Sequence, residues 1–317
     1  MMLRVTRAAQ ISGADDREPQ ENAMQPTGCL TAIVTPFRDG RIDEEAMARH
    51  ANWLIDNGMQ GIVVCGTTGE SATMSDDEKL RAIELMREVV GSRATLIAGA
   101  GNNSTSESLA FIDRLHDSGT AVDAIMSVVP YYNKPNQDGL VGHFTAICDR
   151  SRFPVVLYNV PARTIVGMTV DTLATLAAHS NVCAIKEASA NLHFDALLLD
   201  ALPRPVSVLS GDDATAMPLM SIGGSGVISV IGNIAPRLMR DLCDATLAGD
   251  LERARSLNGR IATLQSLLFA VSNPIPVKAA CAWLGFGNGD VRLPLARVSP
   301  QAEEALFEQL SALGIAR

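Results

Sequence analysis

From residue 29 to about residue 249, short apolar runs alternate with longer stretches whose apolar residues recur every three to four positions. The runs are CLTAIVTPF, GIVVCG, ATLIAGAG, AIMSVVP, PVVLYNV, VCAIKE, VSVLSG and GVISVIG. They are mostly apolar throughout rather than alternating, as expected of parallel strands covered on one face and packed inside on the other. The helical stretches between them include Glu44–Asn57, Asp76–Val90, Ser104–Ser118 and Pro236–Leu247. Eight such units predict an α/β protein, a (β/α)8 TIM barrel over residues 27–249. The competing architecture, an open doubly wound sheet, would announce itself with GxGxxG after its first strand, and the turn here reads TPFRDG. Beyond residue 249 the strand pattern stops. Three helical segments, near 250–270, 275–284 and 300–314, predict a C-terminal helical appendage over residues 250–317.

Residues 1–26 read differently. They lack the apolar core of a secretory signal, and Asp15, Asp16, Glu18 and Glu21 argue against an organellar transit peptide. The expectation is a disordered extension, with a chain that effectively begins near Met24. No apolar run reaches the ~20 residues of a transmembrane helix.

Apolar residues make up 47% of the chain and charged ones 19%, a globular composition with a net charge of −9. The cations are scattered singly, so no basic face for nucleic acid is expected. Cys29, Cys65, Cys148, Cys183, Cys243 and Cys281 lie far apart, mostly inside apolar runs, with no CxxC, CxxH or HxxxH spacing. That suits buried, reduced thiols in a cytoplasmic enzyme better than a disulfide framework or a metal cluster. Only four of the 26 cations are lysines, so each lysine is worth reading individually.

In a barrel, chemistry sits at the carboxyl ends of the strands. The second strand ends in Gly66-Thr67-Thr68-Gly69-Glu70-Ser71, where glycines bring backbone N–H groups close to an anion and hydroxyls can pass protons. A plain turn with a helix cap would explain it equally well. The fourth strand runs into Pro130-Tyr131-Tyr132-Asn133-Lys134-Pro135, and the fifth places Tyr158 at its end with Arg163 just beyond. All three tyrosines of the chain therefore fall at one rim. Arg163 could fork onto a carboxylate or simply decorate a loop. The sixth strand ends in Lys186. By contrast, Lys79 follows Asp76-Asp77-Glu78 in a setting that reads as solvated, Lys134 is in a loop, and Lys278 is near a helix start. Lys186 is thus the one lysine expected to be desolvated, a state that favours the neutral amine able to attack a carbonyl. A buried salt bridge is the alternative.

GTTGES, PYYNKP, YNVPART, IKEAS, LSGDD and GGSGVISV, in this order and spacing, resemble the dihydrodipicolinate synthase (4-hydroxy-tetrahydrodipicolinate synthase) family. NPIPVKAA and RLPL extend the resemblance, which covers about residues 28–315. It implies a lysine-dependent condensation of pyruvate with L-aspartate 4-semialdehyde, the committed step toward diaminopimelate and lysine. Carried onto this chain, it implies that Lys186 forms the imine, Tyr158 is the general acid–base, and Thr67 links Tyr158 to Tyr132 in a proton relay. Tyr132 would reach in from a neighbouring subunit, within a dimer of dimers. Thr68 would hold the pyruvate carboxylate, the Ile228 carbonyl would line the same pocket, and Arg163 would receive the semialdehyde carboxylate. No metal and no organic cofactor is implied.

Ser71, Ala72, Asn103, Glu107 and Tyr131 match the family's lysine-effector site, but Lys79 stands where lysine-sensitive members carry a histidine. Weak or absent feedback inhibition is the expectation. Two rival readings remain. One is a pyruvate-dependent sugar-acid or sialic-acid lyase on the same barrel, and the other is a non-catalytic keto-acid-binding paralogue.

Overall fold

A computed structural model describes residues 24–315. Eight parallel strands close into a barrel: β1 (Gly28–Ala32), β2 (Gly61–Val64), β3 (Thr95–Gly99), β4 (Ala124–Val128), β5 (Val155–Asn159), β6 (Val182–Glu187), β7 (Ser207–Ser210) and β8 (Gly226–Ser229). Each strand pairs with its sequence neighbours, and β1 closes the ring by pairing with both β8 and β2. Seven of the eight predicted apolar runs contain one of these strands whole, and the first, starting at Cys29, holds all of β1 but Gly28.

Two packed layers explain why the runs are apolar throughout. Leu30, Val63, Ile97, Met126, Val156 and Ile228 fill the barrel interior. Ile62, Leu96, Ile125, Leu157 and Ile185 face outward and pack under the helices. The period of two along β6 turns Ile185 outward, while Ala184 faces the interior. Lys186, two positions on from Ala184, shares its face.

The helices match the predicted stretches to within a residue or so. Glu44–Asp56, Asp76–Val90, Thr105–Asp117 and Pro236–Leu247 are observed. Asp76–Val90 starts on a capping box in which the Glu78 N–H donates to Ser75 Oγ (3.2 Å) and the Ser75 N–H to Glu78 Oε2 (2.9 Å). After the barrel come the helices Leu251–Leu268, Ile275–Trp283 and Pro300–Ala312. A hairpin of two-residue strands, Phe37–Arg38 and Arg41–Ile42, was not foreseen, because its strands are too short to carry a periodicity. The expected disordered extension over residues 1–26 lies outside the described residues as far as position 23. Among the described residues no helix is long and apolar enough to cross a membrane.

Candidate active site

Lys186, the penultimate residue of β6, lies opposite Tyr158, the penultimate residue of β5; the two are register partners. Both are 5% exposed, and Lys186 Nζ sits 4.3 Å from the centroid of the Tyr158 ring. No other described residue hydrogen-bonds or ion-pairs with this amine. The side chain runs past Gly211 of the LSGDD turn, and that glycine is required by close approach. A Cβ at position 211 would lie 3.0 Å from Lys186 Cε, 3.2 Å from its Cγ and 2.6 Å from Ala188 Cβ.

Lys186 is not the only buried lysine, which corrects the sequence expectation. Lys278 is 2% exposed and forms a buried ion pair with Glu70. Its Nζ lies 4.2 Å from the Phe37 ring centroid, and the Arg292 guanidinium lies 4.1 Å from the same centroid. Glu70 Oε2 accepts the Arg292 N–H at 2.9 Å. Burial pushes the Lys278 ammonium below its usual range while Glu70 pulls it back up. Lys79 is not a solvated lysine either: its side chain is only 17% exposed and pairs with Asp76 at 3.1 Å.

The GTTGES loop is a compact turn in which the Gly69 N–H donates to the Gly66 carbonyl (3.1 Å) and the Glu70 N–H to the Thr67 carbonyl (3.1 Å). Thr67 is half-buried, and its hydroxyl makes no hydrogen bond to Tyr158 or Tyr132 within the described residues. Thr68 is 3% exposed, and its Oγ1 accepts a hydrogen bond from Asn273 Nδ2 at 3.0 Å. Arg163 Nη2 donates to the Asn273 carbonyl, also at 3.0 Å. Ile228 is fully buried in the barrel interior together with Tyr158.

Tyr132 is 86% exposed, with a left-handed backbone (φ 74°), so it does not join Lys186 within this chain. Tyr131 lines a cavity of about 480 Å³ together with Thr67, Ser71, Ala72, Lys79 and Arg163. That cavity joins two proton-relay or substrate candidates to the effector candidates. Lys186, Tyr158, Thr68 and Ile228 are not among its lining residues. Glu107 lines a smaller pocket with Ser71, Asp76 and Lys79. Asn103 stays out of both and braces the tyrosine loop, donating to the Tyr131 carbonyl (3.1 Å) and to Asn133 Oδ1 (2.9 Å).

Two carboxylates flank the lysine strand. Burial raises the Glu187 carboxyl above its usual range, although Asn159 Nδ2 (2.7 Å) and the Ser189 N–H (2.5 Å) donate to it. Asp195, 2% exposed, is pushed up to about 6 by burial and then by the charge of Glu187. Asp213 of LSGDD is likewise pushed up to about 6 by burial, while its Oδ2 accepts the Val230 and Ile231 N–H groups, both at 2.9 Å. It thereby fixes the loop beyond Ile228.

Sequence reasoning missed Asn273 and the Glu70–Lys278 pair. A signal existed for the second, since Lys278 is one of four lysines and stands in the apolar run IPVKAACAW.

Residues 25–313 match the Dihydrodipicolinate synthetase family. The chain is 45% identical over 293 residues to the 4-hydroxy-tetrahydrodipicolinate synthase of Oleidesulfovibrio alaskensis, covering 92% of this chain and 100% of the relative. Among solved structures it is similar to the chloride-inhibited dihydrodipicolinate synthase of Acinetobacter baumannii in complex with pyruvate, with 41% identity, a TM-score of 0.88, and 91% of this chain and 99% of that one covered. It is also similar to the lysine-bound enzyme of Cyanidioschyzon merolae, with 37% identity, a TM-score of 0.87, and coverage of 91% and 98%. With barrel, motif order and near-complete coverage all agreeing, the chain belongs to the dihydrodipicolinate synthetase family.

Proposed function

We propose that the protein condenses pyruvate with L-aspartate 4-semialdehyde to 4-hydroxy-tetrahydrodipicolinate through a Schiff base on Lys186. The observation that carries this reading is a buried amine without a counter-ion at the mouth of the barrel, lying on a tyrosine ring. The name shared by the curated relatives supports the same reaction.

The neutral amine of Lys186 adds to the keto carbon of pyruvate. Tyr158 protonates the departing hydroxyl, water leaves, and the imine forms. The imine nitrogen draws electron density, a methyl proton is lost, and the resulting enamine carbon attacks the aldehyde. The semialdehyde's own amine then displaces Lys186 by transimination, which closes the ring and frees the enzyme. A hydroxyl relay suits this sequence because one path must carry protons both ways. In this reading Thr67 passes protons between Tyr158 and Tyr132, Thr68 and the Ile228 carbonyl hold the pyruvate end, and Arg163 takes the second carboxylate. The chain's own groups supply every step, so no cofactor or metal is invoked.

Tyr132 points into solvent from one chain, which supports a shared site in which a second subunit receives it. A dimer of dimers provides that arrangement. Leu192, Leu197 and Ile222 are further exposed apolar side chains available to subunit contacts. A cytoplasmic location agrees with six buried free thiols.

The candidate effector cavity already contains an ammonium, that of Lys79, paired with Asp76 and lying 5.4 Å from the Phe111 ring centroid. A free diamine entering there meets a like charge, so feedback by lysine is weak or absent. Half-inhibition at micromolar lysine would contradict this. The decisive test of the main reading is borohydride trapping with pyruvate, read by peptide mass. A reduced pyruvyl adduct on Lys186 is expected, and an unmodified Lys186 would sink the reading.

A further inference from the structure

We propose that Asn273 is a positioning residue for the keto acid, holding the Thr68 hydroxyl in the one orientation that donates to a substrate carboxylate. The proposal rests on the reading of the site given above and adds a residue to which that reading assigns no role.

Asn273 stands 205 positions from Thr68 in the chain, at the entry to helix Ile275–Trp283, and is 6% exposed. Its Nδ2 donates to Thr68 Oγ1 at 3.0 Å. A hydroxyl has one proton and two lone pairs. Accepting the amide N–H uses one lone pair and leaves the proton to be donated elsewhere. Among the described residues nothing accepts that proton, although Thr68 is 3% exposed. A buried hydroxyl with an unspent donor is costly unless something anionic or polar receives it.

The amide is equally one-sided. Asn273 Oδ1 is buried and has no partner among the described residues, so the side chain's only hydrogen bond is the one that orients Thr68. A purely structural asparagine at this depth would satisfy both ends. The backbone of the same residue serves the other half of the site, since its carbonyl accepts Arg163 Nη2 at 3.0 Å. Side-chain substitution removes the grip on Thr68 and leaves the carbonyl that holds Arg163. The two substrates should therefore respond differently.

The test compares Asn273→Asp, Asn273→Ala and Thr68→Val with wild type. Aspartate is nearly isosteric but replaces the donor with an acceptor. It turns the Thr68 proton toward itself and sets a negative charge near the substrate carboxylate. The readouts are the pyruvate concentration giving half-maximal borohydride trapping at Lys186, the KM for each substrate, and kcat. Half-saturation by pyruvate is expected to rise about thirtyfold in Asn273→Asp and roughly tenfold in Asn273→Ala. The semialdehyde KM and kcat at saturation should stay within about twofold. In a Thr68→Val background, Asn273→Ala should add no further loss, because the two residues act as one unit.

An unmodified Lys186 in the wild-type protein would overturn the reading of the site and this proposal with it. A wild type that traps normally beside an Asn273→Asp variant with unchanged pyruvate half-saturation overturns this proposal alone. So does a loss shared equally by kcat and both KM values, which marks a structural role. If Asn273→Asp does not fold, the Thr68→Val and Asn273→Ala cycle decides, and additive losses reject the coupling.

Discussion

Lys186 and Lys278 make a controlled comparison inside one molecule. Both are almost wholly buried, at 5% and 2% exposure, and each Nζ lies just over 4 Å from the centroid of an aromatic ring. What separates them is the counter-ion. Lys278 has the Glu70 carboxylate, with Arg292 bonded to the other oxygen of the same group. Lys186 has none among the described residues. Burial alone therefore does not mark a reactive lysine. A buried cation with a carboxylate is a strut, and here it ties the GTTGES loop to the C-terminal helices. A buried amine without one is held by no carboxylate and stays available to a keto carbon, as a nucleophile must.

The largest expected effect would break this comparison if it failed. Lys186→Ala should abolish pyruvate trapping and lower turnover by ~10³-fold or more, with little change in stability. Lys278→Met should do the reverse. Removing the cation strands the Glu70 carboxylate in the core, at a cost of ~3–5 kcal/mol in unfolding free energy, while folded protein still traps pyruvate on Lys186. Glu70→Gln combined with Lys278→Met should recover much of that loss. If Lys278→Met instead removed trapping and left the denaturation midpoint unchanged, the assignment of strut and nucleophile would be inverted.

Tyr158→Phe sharpens the comparison by one atom. The ring under Lys186 Nζ remains, so contact and packing are kept and only the hydroxyl is lost. Turnover should fall ~10²–10⁴-fold, with the thermal midpoint nearly unchanged. Retained turnover would mean that the aromatic ring, not the phenol, is what Lys186 requires.

The chain displays its barrel more openly than its site. Parallel strands buried on both faces leave continuous apolar runs, so VCAIKE and GVISVIG can be read directly, and Ser75 with Glu78 marks a helix start by local chemistry. Lys186 was legible because a lysine near the carboxyl end of such a run has few structural explanations. Tyr158 was legible only as one of three tyrosines at the same rim, and its pairing with Lys186 is a matter of the β5–β6 register. Asn273 was not legible. Its role depends on a hydroxyl 205 positions away, and nothing in NPIPVK signals which way an amide will face. Lys278 was misread for a related reason, because position near a helix start says nothing about what the helix packs against. Tyr132 marks the other boundary: in the shared site proposed above, the surface that receives it lies on a second copy, outside what one chain's pattern displays.

The smallest effect concerns a buried carboxyl without a counter-ion among the described residues, Asp195, on helix Leu192–Ala201 directly after the lysine strand. Its Oδ1 has no partner among the described residues, and burial, with Glu187 nearby, pushes its carboxyl up to about 6. An unfolded aspartate titrates near ~3.9. The folded protein therefore binds this proton more tightly than the unfolded chain does. The sign of the linkage follows: stability is greatest below the unfolded value, falls as pH rises toward 6, and stays flat above it. The substitution Asp195→Asn imitates the uncharged acid at every pH. The variant's stability relative to wild type should be near zero at pH 4, grow through the window from 4 to 6, and level off at ~1–3 kcal/mol in favour of the variant at pH 8. Urea unfolding at pH 4 and pH 8, at one protein concentration, measures the difference. Pyruvate trapping should be unaffected, because Asp195 carries no reacting atom. Parallel stability curves for the two proteins would mean that Asp195 has found a compensating partner, and belongs with the paired Lys278 rather than with the unpaired Lys186.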